Sequence, residues 1–531
     1  MFVRSMRHCL VGLVVLCAAV AGTEEPIVED AAAVPEAPEA ESAQTPADLP
    51  ASPEAAGVLP AALSLEAAQQ RALKDNPSLQ AVEAVVLQAE QRIKQARSLY
   101  LPQVDLNYSA THTHLPNNAI NEARDAVLSG AVQGAFQQAL FSSLLSQQSS
   151  PIGTAFTAGQ GLLTGIEGRN GIESTVDSYN LGLSASYILF NGFSRKYRLA
   201  IARIGLSETG AAYQEAQRLI LFAVAESYYG VQLAQENIGI AQADEAFNLR
   251  LLKEAQLRRE AGTGSKSDVL NFEVLVRAAQ AARIFAERDY QVARIALATL
   301  MGIPEGMLPE SVSLEPLSTE QEPEPELVMP EADPLVVSAL EARPDVAQAR
   351  HALDRNAFTV KERRSVYYPQ VAAFASRDAA LTDNSRFDEG DFSATVGLQV
   401  GYSVFAGGRN RARVKEAKFA EQEAEARLAD AELGAANEVR QSLVYLDSAQ
   451  QQLRLQQETA AYVEENRNLV EKEYKAGQAA LARLNQAQRD LTEAQGRLAL
   501  ARVSLRLAWY QLRTSTAESL QVLSPEQLGQ D

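Results

Sequence analysis

The stretch from Asp391 to Phe405, DFSATVGLQVGYSVF, sets the reading of the whole chain. Phe392, Val396, Leu398, Val400, Tyr402 and Val404 alternate with Ser393, Thr395, Gly397, Gln399, Gly401 and Ser403. A period of two gives an extended strand with one apolar face and one face of small polar groups. A strand between lipid and a watery lumen needs this pattern, although one side of a soluble sheet would accept it too. Tyr179, Leu181, Leu183, Ala185, Tyr187 and Leu189 repeat it against Ser178, Asn180, Gly182, Ser184 and Ser186. Val104, Leu106, Tyr108 and Ala110 mark a third strand, and Val371 to Ser376 a weaker fourth. Alternation assigns Asn180, Ser184, Ser186, Ser393, Thr395, Gln399 and Ser403 to the lumen.

Four strands cannot close on themselves. Lipid tolerates no unpaired backbone edge, and the smallest membrane barrels have about eight strands. Several chains must therefore share one barrel. Two copies would give eight strands, whose interior side chains fill, whereas three give twelve and leave a pore.

The strands lead into helices. Ser194 to Ala261 and Gly408 to Lys475 contain no proline, and Val439, Leu443, Leu446 and Leu453 recur at spacings of three and four. Each would be about 100 Å long. Shorter helices are expected over Leu65 to Leu99, Lys266 to Met301, Leu335 to Val366 and Leu481 to Leu512. Two short helices laid end to end equal one long one, so each long helix can be lined along its length. Its far end is a hairpin turned by Ala261-Gly262-Thr263-Gly264-Ser265 or by Ala476-Gly477-Gln478, where glycine accepts the left-handed conformation that ends a helix.

These elements occur twice. Leu101-Pro102-Gln103-Val104 matches Tyr368-Pro369-Gln370-Val371, and Asn76-Pro77 matches Arg343-Pro344, both at an offset of 267. Phe190-Asn191-Gly192 matches Phe405-Ala406-Gly407, and Ala261-Gly262 matches Ala476-Gly477, both at 215. The 52-residue difference is an insertion in the first copy. The expected fold class is a mixed α and β membrane protein with an internal two-fold sequence repeat. Each chain of a trimer gives four transmembrane strands to a shared 12-stranded β-barrel, and its long helices are lined by antiparallel shorter ones.

Residues 1–21 read as a signal peptide: Arg4 and Arg7 precede an apolar run that ends in Ala19-Val20-Ala21. Cys9 and Cys17 are its only cysteines. Cleavage after Ala21 and lipidation of Cys17 both fit, the bulky Leu16 favouring cleavage. Residues 22–60, rich in Ala, Pro and Glu, are expected to be disordered. The first repeat covers 61–308, with an extracellular insertion over about 115–176 that is either a lid partly occluding the pore, the favoured reading, or a long loop. A Pro/Glu-rich linker occupies 309–334, the second repeat 335–514 and a tail 515–531.

From Leu63 to about Thr514 the chain resembles the TolC-like outer-membrane efflux family. The resemblance rests on the ordered double set of NP, YLPQV, LFNGF, the AG turns and DVLNFE. It implies an outer-membrane channel of a tripartite efflux or type I secretion system. Such a channel is a homotrimer set in outer-membrane lipid, its 12-stranded β-barrel continued across the periplasm by a long antiparallel, coiled-coil helical barrel. It conducts passively from a periplasmic adaptor protein and an inner-membrane transporter. Gly262, Thr263, Gly264 and Ser265, with Gly477, Gln478, Ala479 and Ala480, would then meet the adaptor. Asp268 and Tyr474 fall on positions associated with closing the periplasmic mouth. Arg483 and Gln486 stand where relatives carry aspartates, and Ala479 where they carry a charge. Three copies of Asp268 and Arg483 could form an ion-pair latch. Drug, metal and polypeptide cargo remain open.

Other classes fit less well. A periplasmic coiled-coil scaffold or adaptor without a pore would explain the helices and not the strands. A net charge of −19 opposes binding to nucleic acid. The composition, 46% hydrophobic but only 6% aromatic, suits long, thinly cored helices rather than an enzyme core. GTGSKS around Gly262 lacks the strand and spacing of a phosphate loop, so neither enzymatic activity nor a cofactor is expected. His112 and His114 share one strand face without a third ligand in view and are assigned to the barrel rim; His351 is assigned a structural role.

Overall fold

The computed structural model describes residues 62–114, 175–315, 317 and 329–523. The signal peptide, the 22–60 segment and residues 115–174 of the insertion lie outside the described residues. The first half runs β1 (Ala62–Leu63), α1 (Leu65–Asp75), α2 (Pro77–Ser98), β2 (Gln103–His114), β3 (Thr175–Asn191), α3 (Ser194–Glu260) and α4 (Lys266–Leu300). The second runs β4 (Ser313–Leu314), α5 (Ala332–Ala342), α6 (Pro344–Arg364), β5 (Gln370–Thr382), β6 (Phe392–Gly401), α7 (Arg409–Lys475) and α8 (Leu481–Ser515). The long helices α3 and α7 have 67 residues each, and α4 and α8 have 35 each.

The main sheet is antiparallel in the order β2-β3-β5-β6, leaving β2 and β6 as open edges. The helices continue this side-by-side order. Near the strands α3 lies between α2 and α6, and α6 packs on α7; farther away α3 lies between α4 and α8, and α8 packs on α7. One flank of the chain is thus β6 and α7, the other β2, α2 and α4. Both flanks carry exposed apolar side chains, including Phe419, Val444, Tyr445 and Tyr462 on α7 and Val274, Ile284 and Phe285 on α4.

Two expectations need correction. The strand from Asp391 ends at Gly401 and not at Phe405, because Gly401 pairs with Gln370, where β5 begins, and no partner backbone among the described residues lies beyond. The helices expected over Leu65 to Leu99 and Leu335 to Val366 are each broken, at Asn76-Pro77 and Arg343-Pro344. A residue before proline avoids the helical region, and both Asn76 (ψ 120°) and Arg343 (ψ 128°) are extended. Within the 309–334 linker, Ser313–Leu314 pairs in parallel with Ala62–Leu63, and Val312, Leu314 and Leu317 are buried.

The helices meet on small residues. Ala211, Ala225, Ala234 and Ala255 of α3 and Ala417, Ala424, Ala435 and Ala460 of α7 are buried, so the core is a thin seam. Its thickest part is where the chain folds back on α3: Leu63, Val224, Tyr228, Val231, Leu297, Met301 and Leu314 form one cluster, and the Tyr228 hydroxyl donates to the Leu63 carbonyl at 2.8 Å.

Beside it lies a buried ionic knot. Arg218 and Arg343 are each only 3% exposed. Arg343 donates to Glu438 at 2.6 Å, to Asp345 at 2.8 Å and to the Ser515 carbonyl at 3.2 Å. Arg218 donates to Glu215 at 2.7 Å and to the Thr514 carbonyl at 3.0 Å. The knot joins α3, α6, α7 and the end of α8. Removing Arg343 leaves the Ser515 carbonyl without its donor and the part-exposed Asp345 and Glu438 without their cation, at a cost of about 1–3 kcal/mol. Arg343→Ala should therefore lower the thermal midpoint of helix melting, followed by circular dichroism, whereas Arg427→Ala, in an exposed pair, should leave it within about a degree or two.

Candidate functional site

The register sorts the sheet into two faces. Leu106, Leu183, Arg377 and Ala394 form one cross-strand row, and Val104, Ala185, Ala375 and Val396 the next. This face is apolar and open, with Leu106 and Leu398 each 71% exposed. The one cation in these rows, Arg377, lies 5.1 Å from the Phe392 ring centroid. The opposite face carries the row Asp105, Ser184, Ser376 and Thr395, followed by Asn107, Gly182, Asp378 and Ser393. Of the side chains assigned to the lumen, Asn180, Ser184, Ser186, Ser393, Thr395 and Gln399 share this polar face. Ser403 does not, since it follows the end of β6.

Gln103, Asp105, Asn107, Ser109, Thr111, Ser376 and Asp378 also belong to the polar face, and the same alternation, carried through the two weaker strands, would have found them. Phe374 sits there as well, opposite Gly397, where an added Cβ would come within 2.6 Å of the ring. Glycine lets the aromatic lie across the strand. At the far end of the open face, His112 approaches Asp177 at 2.5 Å.

The second concentration of candidates is the pair of hairpin turns. Gly262 (φ +74°) and Gly477 (φ +77°) are left-handed, as helix-ending glycines are. The amides of Thr263 and Gly264 donate to the Arg258 carbonyl at 2.9 Å, and those of Gln478 and Ala479 to the Glu473 carbonyl at 2.8 and 3.3 Å. Ser265 caps α4 through its hydroxyl, while Ala480 has no side chain to do the same for α8. Asp268 lies in the first turn of α4, where its charge complements the helix dipole.

Within one chain the two hairpins are tied together. Phe247, Leu251, Val269 and Phe272 pack with Val470 and Leu484, and Tyr474 packs against this cluster beneath the Arg258 guanidinium at 5.3 Å. Burial raises the Tyr474 phenol above its ordinary value; Arg258 opposes the shift, and Asp268 and Glu254 add to it. Arg483 donates to Glu473 at 2.9 Å, so it is engaged within its own chain. Gln486 donates to Asp490 at 2.6 Å. The strongest tie was not singled out from the sequence. Glu471 accepts from Arg250 of α3 at 2.8 Å and from Arg467 and Lys475 at 2.9 Å. Burial works to raise the Glu471 carboxyl, and the three cations outweigh it and hold it below its ordinary 4.5.

Residues 68–303 and 335–518 match the family described as outer membrane efflux protein. The chain belongs to this family. It is similar to the alkaline protease secretion protein AprF of Pseudomonas aeruginosa, 28% identical over 64% of this chain and 69% of the relative. It is also similar to the pyoverdine export outer membrane protein OpmQ of the same species, 27% identical over 76% of this chain and 81% of the relative. Among solved structures, the outer membrane protein VceC of Vibrio cholerae has the same fold, with a TM-score of 0.62 at 18% identity over 85% of this chain and 95% of that one. The efflux protein is an outer-membrane channel of an export system, with its long helices in the periplasm. Members of the family are channels and not enzymes, and they work with adaptor and inner-membrane pump components.

The depressed Glu471 carboxyl makes its tie stabilising above the ordinary carboxylate pKa, and that contribution is lost as pH falls through the folded value. Amide protection in 465–490, corrected for the intrinsic exchange rate at each pH, should therefore fall as the pH drops below the ordinary carboxylate value of 4.5, and Glu471→Gln should show the same loss at neutral pH, about 1–3 kcal/mol of opening free energy. In the sheet, Gly397→Val should displace Phe374 and lower the yield of heat-resistant oligomer on gels, whereas Gly390→Ala, in the loop before β6, should not.

Proposed function

We propose that three copies of the efflux protein close one twelve-stranded barrel, each β6 pairing with the β2 of its neighbour. The unpaired edges of a four-stranded sheet whose outer face is apolar carry this reading, because hydrocarbon offers an unpaired edge no partner. The helical flanks support the same closure: α7 of one copy would cover the exposed apolar residues of α2 and α4 on the next. The polar face then lines the pore, with Asn180, Ser184, Ser186, Ser393, Thr395 and Gln399 beside Asp105 and Asp378.

Cargo is handed over at the helical tips by a periplasmic adaptor and an inner-membrane pump, which supplies the energy. The turns Gly262 to Ser265 and Gly477 to Ala480 form the adaptor contact. Asp268, Tyr474, Arg483 and Gln486 surround the mouth. Arg483 must leave Glu473 before it can bridge to the Asp268 of another copy, and exposed pairs contribute only about 0–1 kcal/mol each. Such a closure is shallow and suited to opening by a partner.

Single-channel recording of the detergent-extracted protein in a planar bilayer, with its mass determined alongside, tests this function. Discrete conductance from a particle of three chains is expected. A water-soluble particle, or an oligomer that stays silent even with Asp268→Ala and Arg483→Ala combined, would point to a scaffold without a pore. Asp268→Ala alone should raise conductance, and an unchanged value would remove Asp268 from the gate. Asp105→Asn with Asp378→Asn should reduce the preference for cations, read as a shift in reversal potential under a salt gradient.

A further inference from the structure

Where the strands pass into the helices, the apolar face ends in a group of arginines and aromatics that the conduit does not require. Arg195, in the first turn of α3, lies 4.9 Å from the Tyr100 ring centroid and 5.9 Å from that of Tyr187. Its guanidinium donates to the Leu189 carbonyl at 2.9 Å and to the Leu99 carbonyl at 3.4 Å. Neither acceptor is a carboxylate, so its charge is left uncompensated. Arg203, two turns on and exposed, is near enough to Tyr100 to act on its hydroxyl together with Arg195. No salt bridge within the described residues involves Arg195 or Arg203.

The position of this group relative to the membrane follows from the register. Tyr187 pairs with Ala373, and Ala373 with Leu398, so Tyr187 lies on the apolar face. A register shift between Ile188 and Phe190 returns Phe190 to that face opposite Val371, and Phe193 and Tyr368 continue it edge to face at 5.3 and 6.1 Å. Exposed Tyr100, Phe193 and Tyr368 therefore stand at the rim of the apolar face, at the depth where aromatic side chains meet lipid headgroups. Cations here are not helix stabilisers, since the start of a helix disfavours positive charge, yet α3 opens with Arg195, Lys196 and Arg198. Nor do they reflect composition, because the chain carries a net charge of −19.

We propose that Arg195 and Arg203, framed by Tyr100 and Tyr187, bind the phosphate of an anionic phospholipid in the periplasmic leaflet. The lipid's chains would lie along the apolar face, and its headgroup would neutralise two cations that have no acidic partner among the described residues. The site rests on the barrel reading above, since it needs that face in lipid.

Native mass spectrometry of the intact oligomer, offered equal phosphatidylglycerol and phosphatidylethanolamine, reads the site directly. The wild type should retain phosphatidylglycerol preferentially. Arg203→Gln, which removes no hydrogen bond in the structure, should weaken that preference about fivefold, and Arg195→Gln with Arg203→Gln should abolish it. Arg288→Gln, on the exposed surface of α4, should have no effect. Because Arg195 also holds two backbone carbonyls, Arg203→Gln alone is decisive if the double variant does not assemble. A conducting oligomer whose Arg203→Gln form keeps the full preference overturns the site and leaves the barrel intact, and so does displacement of the lipid by millimolar inorganic phosphate, which would mark a small-anion site. A particle that takes up neither lipid and never conducts overturns the barrel reading itself.

Discussion

Unpaired backbone is intolerable in hydrocarbon, and most features of this chain answer to that constraint. A four-stranded sheet ends in two edges whose amide and carbonyl groups have no partner, while its open face is too apolar for water. Either condition alone would be ordinary, since soluble sheets have edges and membrane barrels have apolar faces. Together they leave the single chain incomplete, and the same incompleteness extends into the helices. The flank that ends in β6 continues as α7, and the flank that starts with β2 continues as α2 and α4, so one mode of association can satisfy strands and helices at once.

The helical part meets a different difficulty. A helix of about 100 Å packed on alanines buries little apolar surface per turn, so hydrophobic burial is concentrated at a few places. One is the cluster around Val224, Tyr228 and Leu297, where β1 and β4 fold back onto α3. The other is the tip, where Phe247 and Phe272 meet Val470 and Leu484. Charge supplements packing at both. Arg218 and Arg343 join three helices and the end of α8 near the first, and Glu471 gathers three cations at the second. The two ionic groups differ in place: the first locks the helices where the chain folds back, and the second sits next to the turns. Acid weakens both, because in each, against the effect of burial, cations hold a carboxyl (Asp345 or Glu471) below its ordinary value.

Much of this was legible because its signals are local. Alternation in 178–189 and 392–401 marked the strands, the absence of proline marked the long helices, and glycine marked their ends to within a residue. The breaks at Asn76 and Arg343 were legible in principle through the following prolines, but the continuing apolar pattern overrode them. Alternation also ran past Gly401 to Phe405, because a sequence pattern has no means of registering that the neighbouring strand has not yet begun. Ser403 for that reason follows the strand, whereas Asp105 and Ser376 are the polar alternates of the two other marked strands, and Asp378 lies two residues past the expected end of the fourth.

By itself the sequence determined the periodicities, the order of elements, the turns and the need for partner copies, since each depends on residues a few positions apart or on a count of strands. Tertiary structure decided what depends on residues far apart in the chain: the register that puts Asp105 beside Ser184 and Ser376, the pairing of the linker with the first strand, the engagement of Arg483 by Glu473, and the meeting of Arg250 with Glu471 across 221 positions. A charged side chain selects its partner by distance in space, and only the fold sets that distance.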